Sequence, residues 1–255
     1  MASKSDVRTL EKGSVYFFYR PKVNEEEPSG LGDVERMYMV LSPHERERVR
    51  LAVLGRKQLP DPSRKGHRKF WGFVDKVSKG PDGIRDELGS EEYQTKTRGR
   101  QHLSASRPVG EGVYRILRHG DHTHLVYALE LPRKTGPAQK AFKIEQEASY
   151  IISVKNPEGG GKPQAGLSEE RQADYPRKLQ EEFRGRKFAD LDPPDFLDHE
   201  GCEFLLIPAS DDVKEELGIE LHPEHETRHS ADVFKELRLD ADENPVRPLF
   251  EGKWD

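Results

Sequence analysis

The sequence predicts an α+β protein: a β-rich N-terminal domain, built on an antiparallel twisted sheet or small barrel, followed by a smaller, mostly helical acidic region. Three observations predict it. Short aromatic and β-branched runs recur through the first part of the chain, separated by Gly, Pro and charged turns, which is the pattern of antiparallel strands. No long amphipathic helix lies between them, which argues against a doubly wound parallel sheet. The charge then changes sign: residues 1–157 carry 29 Lys/Arg against 21 Asp/Glu, and residues 158–255 carry 13 against 26. The expected boundaries are a basic β-rich domain over 1–157, a Gly/Pro linker over 158–168 and an acidic region over 169–255.

SVYFFYRPKV (14–23) is aromatic and β-branched and reads as a strand, with Pro21 at an edge or exit. RMYMVLSP (36–43) is a second strand closed by Ser-Pro. In RVRLAVLGRKQLP (48–60), Val49, Leu51 and Val53 fall on one face and Arg48, Arg50 and Ala52 on the other, the period of a half-buried strand. KFWGFVDKVS (69–78) is apolar on both faces, so it reads as an interior strand, and Gly72 marks a bulge or a close backbone approach. DGIRDELGS is a short helix stopped by Gly89. GVYRILRHGDHTHLVYALELP (112–132) reads as a hairpin around HGDHTH. PAQKAFKIEQ is a short helix with Pro137 near its first position, and ASYIISVKNP is the last strand of the basic domain.

Beyond the linker the texture becomes helical. YPRKLQEEFRGRKF places Leu179 and Phe183 four apart. CEFLLIPA (202–209) is a buried strand. SDDVKEELG opens on Ser210 as N-cap and closes on Gly218, and ADVFKELRL is a final helix.

One cysteine, Cys202, excludes an internal disulfide and points to a reducing compartment. No apolar leader opens the chain, and no apolar run approaches the ~18–20 residues of a membrane span. The expectation is a cytoplasmic protein without a membrane association.

The segment EYQTKTRGRQHLSASRPVG holds no acid between Glu92 and Glu111, in a chain of formal net charge −5. If residues 93–102 form one extended strand, Lys96, Arg98, Arg100 and His102 project from a single face. Arg offers a planar donor fork suited to phosphate, and Gly99 lets a ligand approach the backbone. Arg107, with Arg115 and Arg118 if the next hairpin folds back, extends the surface. Three readings stand open: contact with phosphate or nucleic acid, salt bridging within the chain or between subunits of a homo-oligomer, and protection of a sheet edge. The basic loops around His44–Arg50 and Ser63–Lys69, with Phe17, Phe18, Tyr19 and Trp71, are the material of a stacking surface, although such aromatics more often fill a core.

Other chemistry is thinner. His119, His122 and His124 in HGDHTH, and His225 and His229 four apart in HPEHETRH, are weak metal candidates without an HExxH or a cysteine partner. Cys202 opens an apolar strand and reads as a core thiol. Neither a GxSxG elbow nor a phosphate-cradling glycine loop is present, and no cofactor is expected.

YFFYRPKV, KFWGFVDKV, YQTKTRGRQH, RPVGEGVY and ISVKNP, in that order, resemble the landmarks of an uncharacterised family of bacteria, fungi and plants. YPRKLQEEFRGRKF is similar to a further landmark of its bacterial members. Some fungal relatives are labelled "BTB domain transcription factor"; no BTB signature occurs in this chain. The resemblance implies an ordered domain centred on TKTRG and no particular reaction. A fainter likeness to PUA-like barrels lies in the Gly13-x-Val15-x-Phe17 opening and the later Gly72-Phe73-Val74 strand.

The leading functional expectation is a non-enzymatic binding protein in which Lys96, Arg98, Arg100, His102 and Arg107 contact an anionic partner, nucleic acid or a phosphorylated ligand. Two alternatives accompany it. One is an enzyme on a phosphate-bearing substrate, with the same cations as clamp and His102 or His119 as acid–base groups. The other is an interaction protein whose basic strand pairs with its own acidic C-terminal region.

Overall fold

Side-chain alternation decides which way each strand faces, and here it rolls eight strands into a closed antiparallel barrel. The computed structural model describes residues 7–64, 68–97, 99–159, 166–223, 226–227 and 230–254. The strands are β1 (Val7–Pro21), β2 (Val34–Pro43), β3 (Val49–Leu54), β4 (Phe70–Ser78), β5 (Glu91–Thr95), β6 (Gly99–Leu103), β7 (Arg107–His119), β8 (His122–Leu131), β9 (Glu147–Lys155), β10 (Phe188–Asp190) and β11 (Glu203–Ser210). Around the barrel the order is β1-β2-β3-β4-β11-β9-β8-β7, and β7 returns to β1. Short β10 pairs with β9 outside the ring, and β5 and β6 form a separate two-stranded sheet.

This overturns the α+β expectation. The structure is mostly β, and the acidic C-terminal part is not a separate helical unit. Its strand β11 is a stave between β4 and β9. A barrel confined to residues 1–157 would not close, because β4 and β9 meet only through β11. The longest described helix, α1 (Asp82–Leu88), has seven residues. The others are α2 (Pro137–Phe142), α3 (Arg177–Glu182), α4 (Val213–Leu217), α5 (Asp232–Lys235) and α6 (Arg247–Glu251). Ser210 ends β11 rather than capping α4. Asp212 is the N-cap, its Oδ1 accepting from the Glu215 N–H at 2.7 Å.

The barrel interior is filled. Phe17, Tyr19, Met39, Ala52, Val74, Ile116, Tyr127, Tyr150 and Phe204 share one buried cluster, with a residual void of only about 10 Å³ beside Arg50 and Leu197. Gly72 is the close approach its position suggested: a Cβ there would sit 2.7 Å from the Phe204 ring. One mouth is closed by α2 and the C-terminal Trp254, with Tyr19, Phe142 and Trp254 rings 5.2–5.3 Å apart. The other is closed by a 3₁₀ turn (Pro194–Asp198), which brings Asp198 onto Arg50.

The outward faces of β1–β3 (Tyr16, Phe18, Tyr38, Val40, Leu51, Val53) are apolar too, and the C-terminal segment covers them with Val233, Leu237, Leu239 and Leu249. Helix α4 sets Val213 and Leu217 on Leu117, Val126 and Ala128. The acidic part of the chain is thus one barrel stave, one plug and a belt.

Candidate functional site

The cationic segment is not one strand. It is the β5–β6 hairpin, turning through Lys96 and Thr97 and closed by Gly99 at φ +70°, a conformation that glycine adopts without strain. A Cβ on Gly99 would meet nothing within 4 Å, so this glycine serves the turn rather than a close ligand approach.

The hairpin separates the expected residues. Lys96 is exposed in the turn. Arg98 lies outside the described residues. Glu92 opposes His102 and Gln94 opposes Arg100, so Arg100 and His102 do share one face. Arg100 is exposed and bonded to Glu92, which lowers the pKa of the Glu92 carboxyl and raises that of the guanidinium. Both effects come first from the hydrogen bond between them.

Arg107 is buried at the start of β7, outside the hairpin. It is 4% exposed and donates to the Glu26 carbonyl. Arg20 holds the root of the hairpin, its Nη1 donating to the carbonyls of Gly89 at 2.9 Å and Ser104 at 3.1 Å on its two flanks. Asn24 ties down β6: the His102 N–H donates to Asn24 Oδ1 at 2.9 Å, and the Asn24 N–H donates to the His102 carbonyl at 2.8 Å. The ribbon is therefore fixed at its root and along one edge, and exposed at its tip.

The other expected contributors lie elsewhere. Arg118 bridges to Asp190 and Asp192, and along β7 it sits about 35 Å from Arg107. Arg50 enters the barrel mouth, where Nη1 and Nη2 donate to Glu11 at 2.7 and 3.0 Å and Nε donates to Asp198 at 2.7 Å. Burial works against its charge, but Glu11's attraction and hydrogen bonds outweigh it and raise its pKa on balance. Phe17, Phe18 and Tyr19 are fully buried, and half-buried Trp71 donates to Glu203 at 2.9 Å. These aromatics form core and wall, not a stacking platform.

His119, His122 and His124 gather at the β7–β8 turn, with the His119 and His124 rings 5.8 Å apart. His124 is buried against Ser149 at 3.1 Å, and burial, then the neighbouring histidines, pushes its pKa down to about 4. His225 and His229 lie outside the described residues. Among the described residues no three His, Cys, Asp or Glu side chains are placed to share a metal ion. Cys202 is buried beside Tyr175, and burial pushes its thiol up to about 12, which suits a core residue and not a nucleophile.

The sequence reading missed a groove of about 560 Å³ under the hairpin. Tyr93 and Leu103 line it from the ribbon, Arg36 and Tyr38 from the barrel wall, and Asp86 and Glu87 from α1. The available signal was Gly99: a glycine inside a polar run marks a turn more often than a flat strand.

The chain matches no protein-family model, no curated protein and no solved structure in these comparisons. No described helix is long and apolar enough to cross a membrane.

Proposed function

We propose that the protein is a non-enzymatic binding protein whose β5–β6 hairpin contacts the phosphates of a nucleic acid. The observation that carries the reading is the hairpin itself: a two-stranded ribbon outside the barrel sheet, anchored by Arg20 and Asn24, with Lys96 at its tip and Arg100 and His102 on one face. A two-stranded ribbon has the width of a DNA major groove, and cations spread over a convex element suit a backbone better than a small substrate. An enzyme would gather them in a pocket with a titratable group among them. The groove beside the hairpin is lined instead by its Tyr93 and Leu103 face.

The test is a titration of the protein against single- and double-stranded DNA and RNA across salt, beside the triple variant Lys96→Ala/Arg98→Ala/Arg100→Ala. With about three phosphates neutralised, log affinity should fall with log salt at a slope of about −2 to −3, and the triple variant should lose most of that slope. Salt-independent binding, or identical curves for both proteins, would remove the hairpin from this role.

A further inference from the structure

The two edges of the hairpin are not alike. His102 directs both its backbone groups outward to Asn24, at 2.9 and 2.8 Å. Groups engaged there cannot also bond across the hairpin, so Glu92–His102 is a pair without ladder hydrogen bonds. Alternation makes Gln94–Arg100 another. Glu92 and Gln94 therefore turn their N–H and C=O groups away from β6. Among the described residues no backbone partner meets them there, since the sheet ends at β5. Asn24 covers the edge of β6; nothing described covers the edge of β5.

An open edge is a template for another strand, and the groove of about 560 Å³ runs beside it. Val23 and Tyr93, 36% and 38% exposed, are the large apolar side chains left most open among the described residues, and both line that groove. Its charged lining is Glu35, Asp86, Glu87 and Glu91 against Arg20 and Arg36. Arg20 is committed to backbone carbonyls, and Asp86 also meets Arg85 at 3.7 Å. The balance is acidic.

We infer that the free edge of β5 and the adjoining groove form a docking site for an extended cationic segment of a partner protein. The segment pairs with Glu92 and Gln94 as a third strand, sets an apolar side chain against Tyr93 and Val23, and places Lys or Arg beside the acidic rim. Strand addition of this kind draws affinity from main-chain bonds and specificity from alternate side chains. The site lies on the edge and the odd-numbered face of β5, away from Arg100 and His102. It therefore goes beyond the nucleic-acid reading and does not depend on it.

The test uses the full chain and a fluorescein-labelled decapeptide of alternating lysine and valine, read by anisotropy. Gln94→Pro removes one outward donor without touching the ladder to β6, a position where strands tolerate proline. It should weaken the peptide about tenfold. The double variant Glu35→Lys/Glu91→Lys keeps the edge and reverses the rim, and should weaken it at least as much; circular dichroism verifies that each variant is folded. If Gln94→Pro unfolds the hairpin, the charge-reversed protein decides alone. Equal binding by wild type and a folded variant would overturn the inference, as would a glutamate–valine peptide that binds as tightly. A concentration-dependent dimer abolished by Gln94→Pro would assign the edge to a second copy and overturn it too.

Discussion

Two arginine–glutamate pairs in this protein use the same chemistry for different ends. Arg50 and Glu11 meet in the barrel mouth with side chains 1% and 4% exposed, while Arg100 and Glu92 meet on the hairpin at 73% and 52%. In the mouth each nitrogen of the guanidinium has an acceptor: Glu11 takes Nη1 and Nη2, Asp198 takes Nε, and the Tyr114 OH donates to Glu11 at 2.8 Å. On the hairpin one carboxylate meets the guanidinium and water reaches both. The first pair can contribute only to the fold. The second contributes little to the fold and can exchange its partner for another anion. In the sequence, RVRLAVL and TRGRQH both present arginines at alternate positions; the surroundings separate them.

The largest effect should come from breaking the buried pair. Arg50→Met leaves Glu11 and Asp198 with only the part-exposed Arg46, at 3.9 and 3.2 Å, as cation among the described residues, and should cost about 3–5 kcal/mol in denaturant unfolding. Arg50→Met combined with Glu11→Gln and Asp198→Asn removes the stranded charges and should recover much of that loss. A cost below about 1 kcal/mol for Arg50→Met alone would place the pair with exposed ones in its worth. The next effect tests packing in the same barrel. Gly72→Ala puts a methyl 2.7 Å from the Phe204 ring and 3.0 Å from the Val53 carbonyl. It should cost about 1–3 kcal/mol, and an unchanged denaturation midpoint would mean that β4 and β11 can part without penalty.

How far the sequence reveals this fold depends on how local each feature is. The β7–β8 hairpin is legible, because alternation runs through both arms and only Gly120 and Asp121 separate the paired His119 and His122. Helix α2 is legible from Pro137, and β11 from its apolar run. The partners of β11 are not. Gly72 and Phe204 lie far apart in sequence, and nothing local says that β11 joins β4 to β9. The belt is hidden for a related reason: α4, α5 and α6 are too short to carry a helical period, and their apolar residues acquire direction only from the barrel wall. At the candidate site, the charge of TKTRG is legible and its shape is not. A polar hairpin lacks the inside-and-outside alternation that fixes register, so the cationic residues are found while the turn, the open edge and the groove are missed.

Glu111 is a buried carboxyl for which no cation is recorded among the described residues, unlike Glu11. Glu111 on β7 accepts from the N–H groups of Val233 at 2.9 Å and Asp232 at 3.2 Å, holding the C-terminal belt to the barrel. Glu226 faces it, with Asp232 and Glu236 from α5 and its end, and Tyr16 from β1, which donates to Glu236 at 2.6 Å. Burial, then the hydrogen bond shared with Glu226, pushes Glu111 up to about 9. Its proton is thus retained in the folded chain at a pH where the unfolded chain has released it. The stabilisation is complete below the ordinary carboxyl range and is lost as pH rises through about 9. Unfolding free energy should therefore fall by up to about 1.4 kcal/mol per pH unit between neutral and mildly alkaline solution, and Glu111→Gln should flatten that fall. Parallel profiles for the two proteins would show that the belt is held without this proton.

The smallest effect on stability is expected where the effect on binding is most informative. Arg100→Ala and Glu92→Ala, alone or together, should leave the melting temperature unchanged, because water already solvates both groups. Their effects on nucleic-acid affinity should have opposite signs. Arg100→Ala removes the proposed phosphate contact and should weaken binding roughly fivefold at moderate salt, while Glu92→Ala releases Arg100 from its acid and should tighten binding roughly two- to threefold. In the barrel mouth both halves of the pair should act alike on stability, since removing either costs the other its two-pronged partner in a buried site. Opposite signs on the hairpin would show that its arginine is held in reserve for an external anion. Equal losses from both changes would show instead that Glu92 positions Arg100, and that the exposed pair, like the buried one, works as a unit.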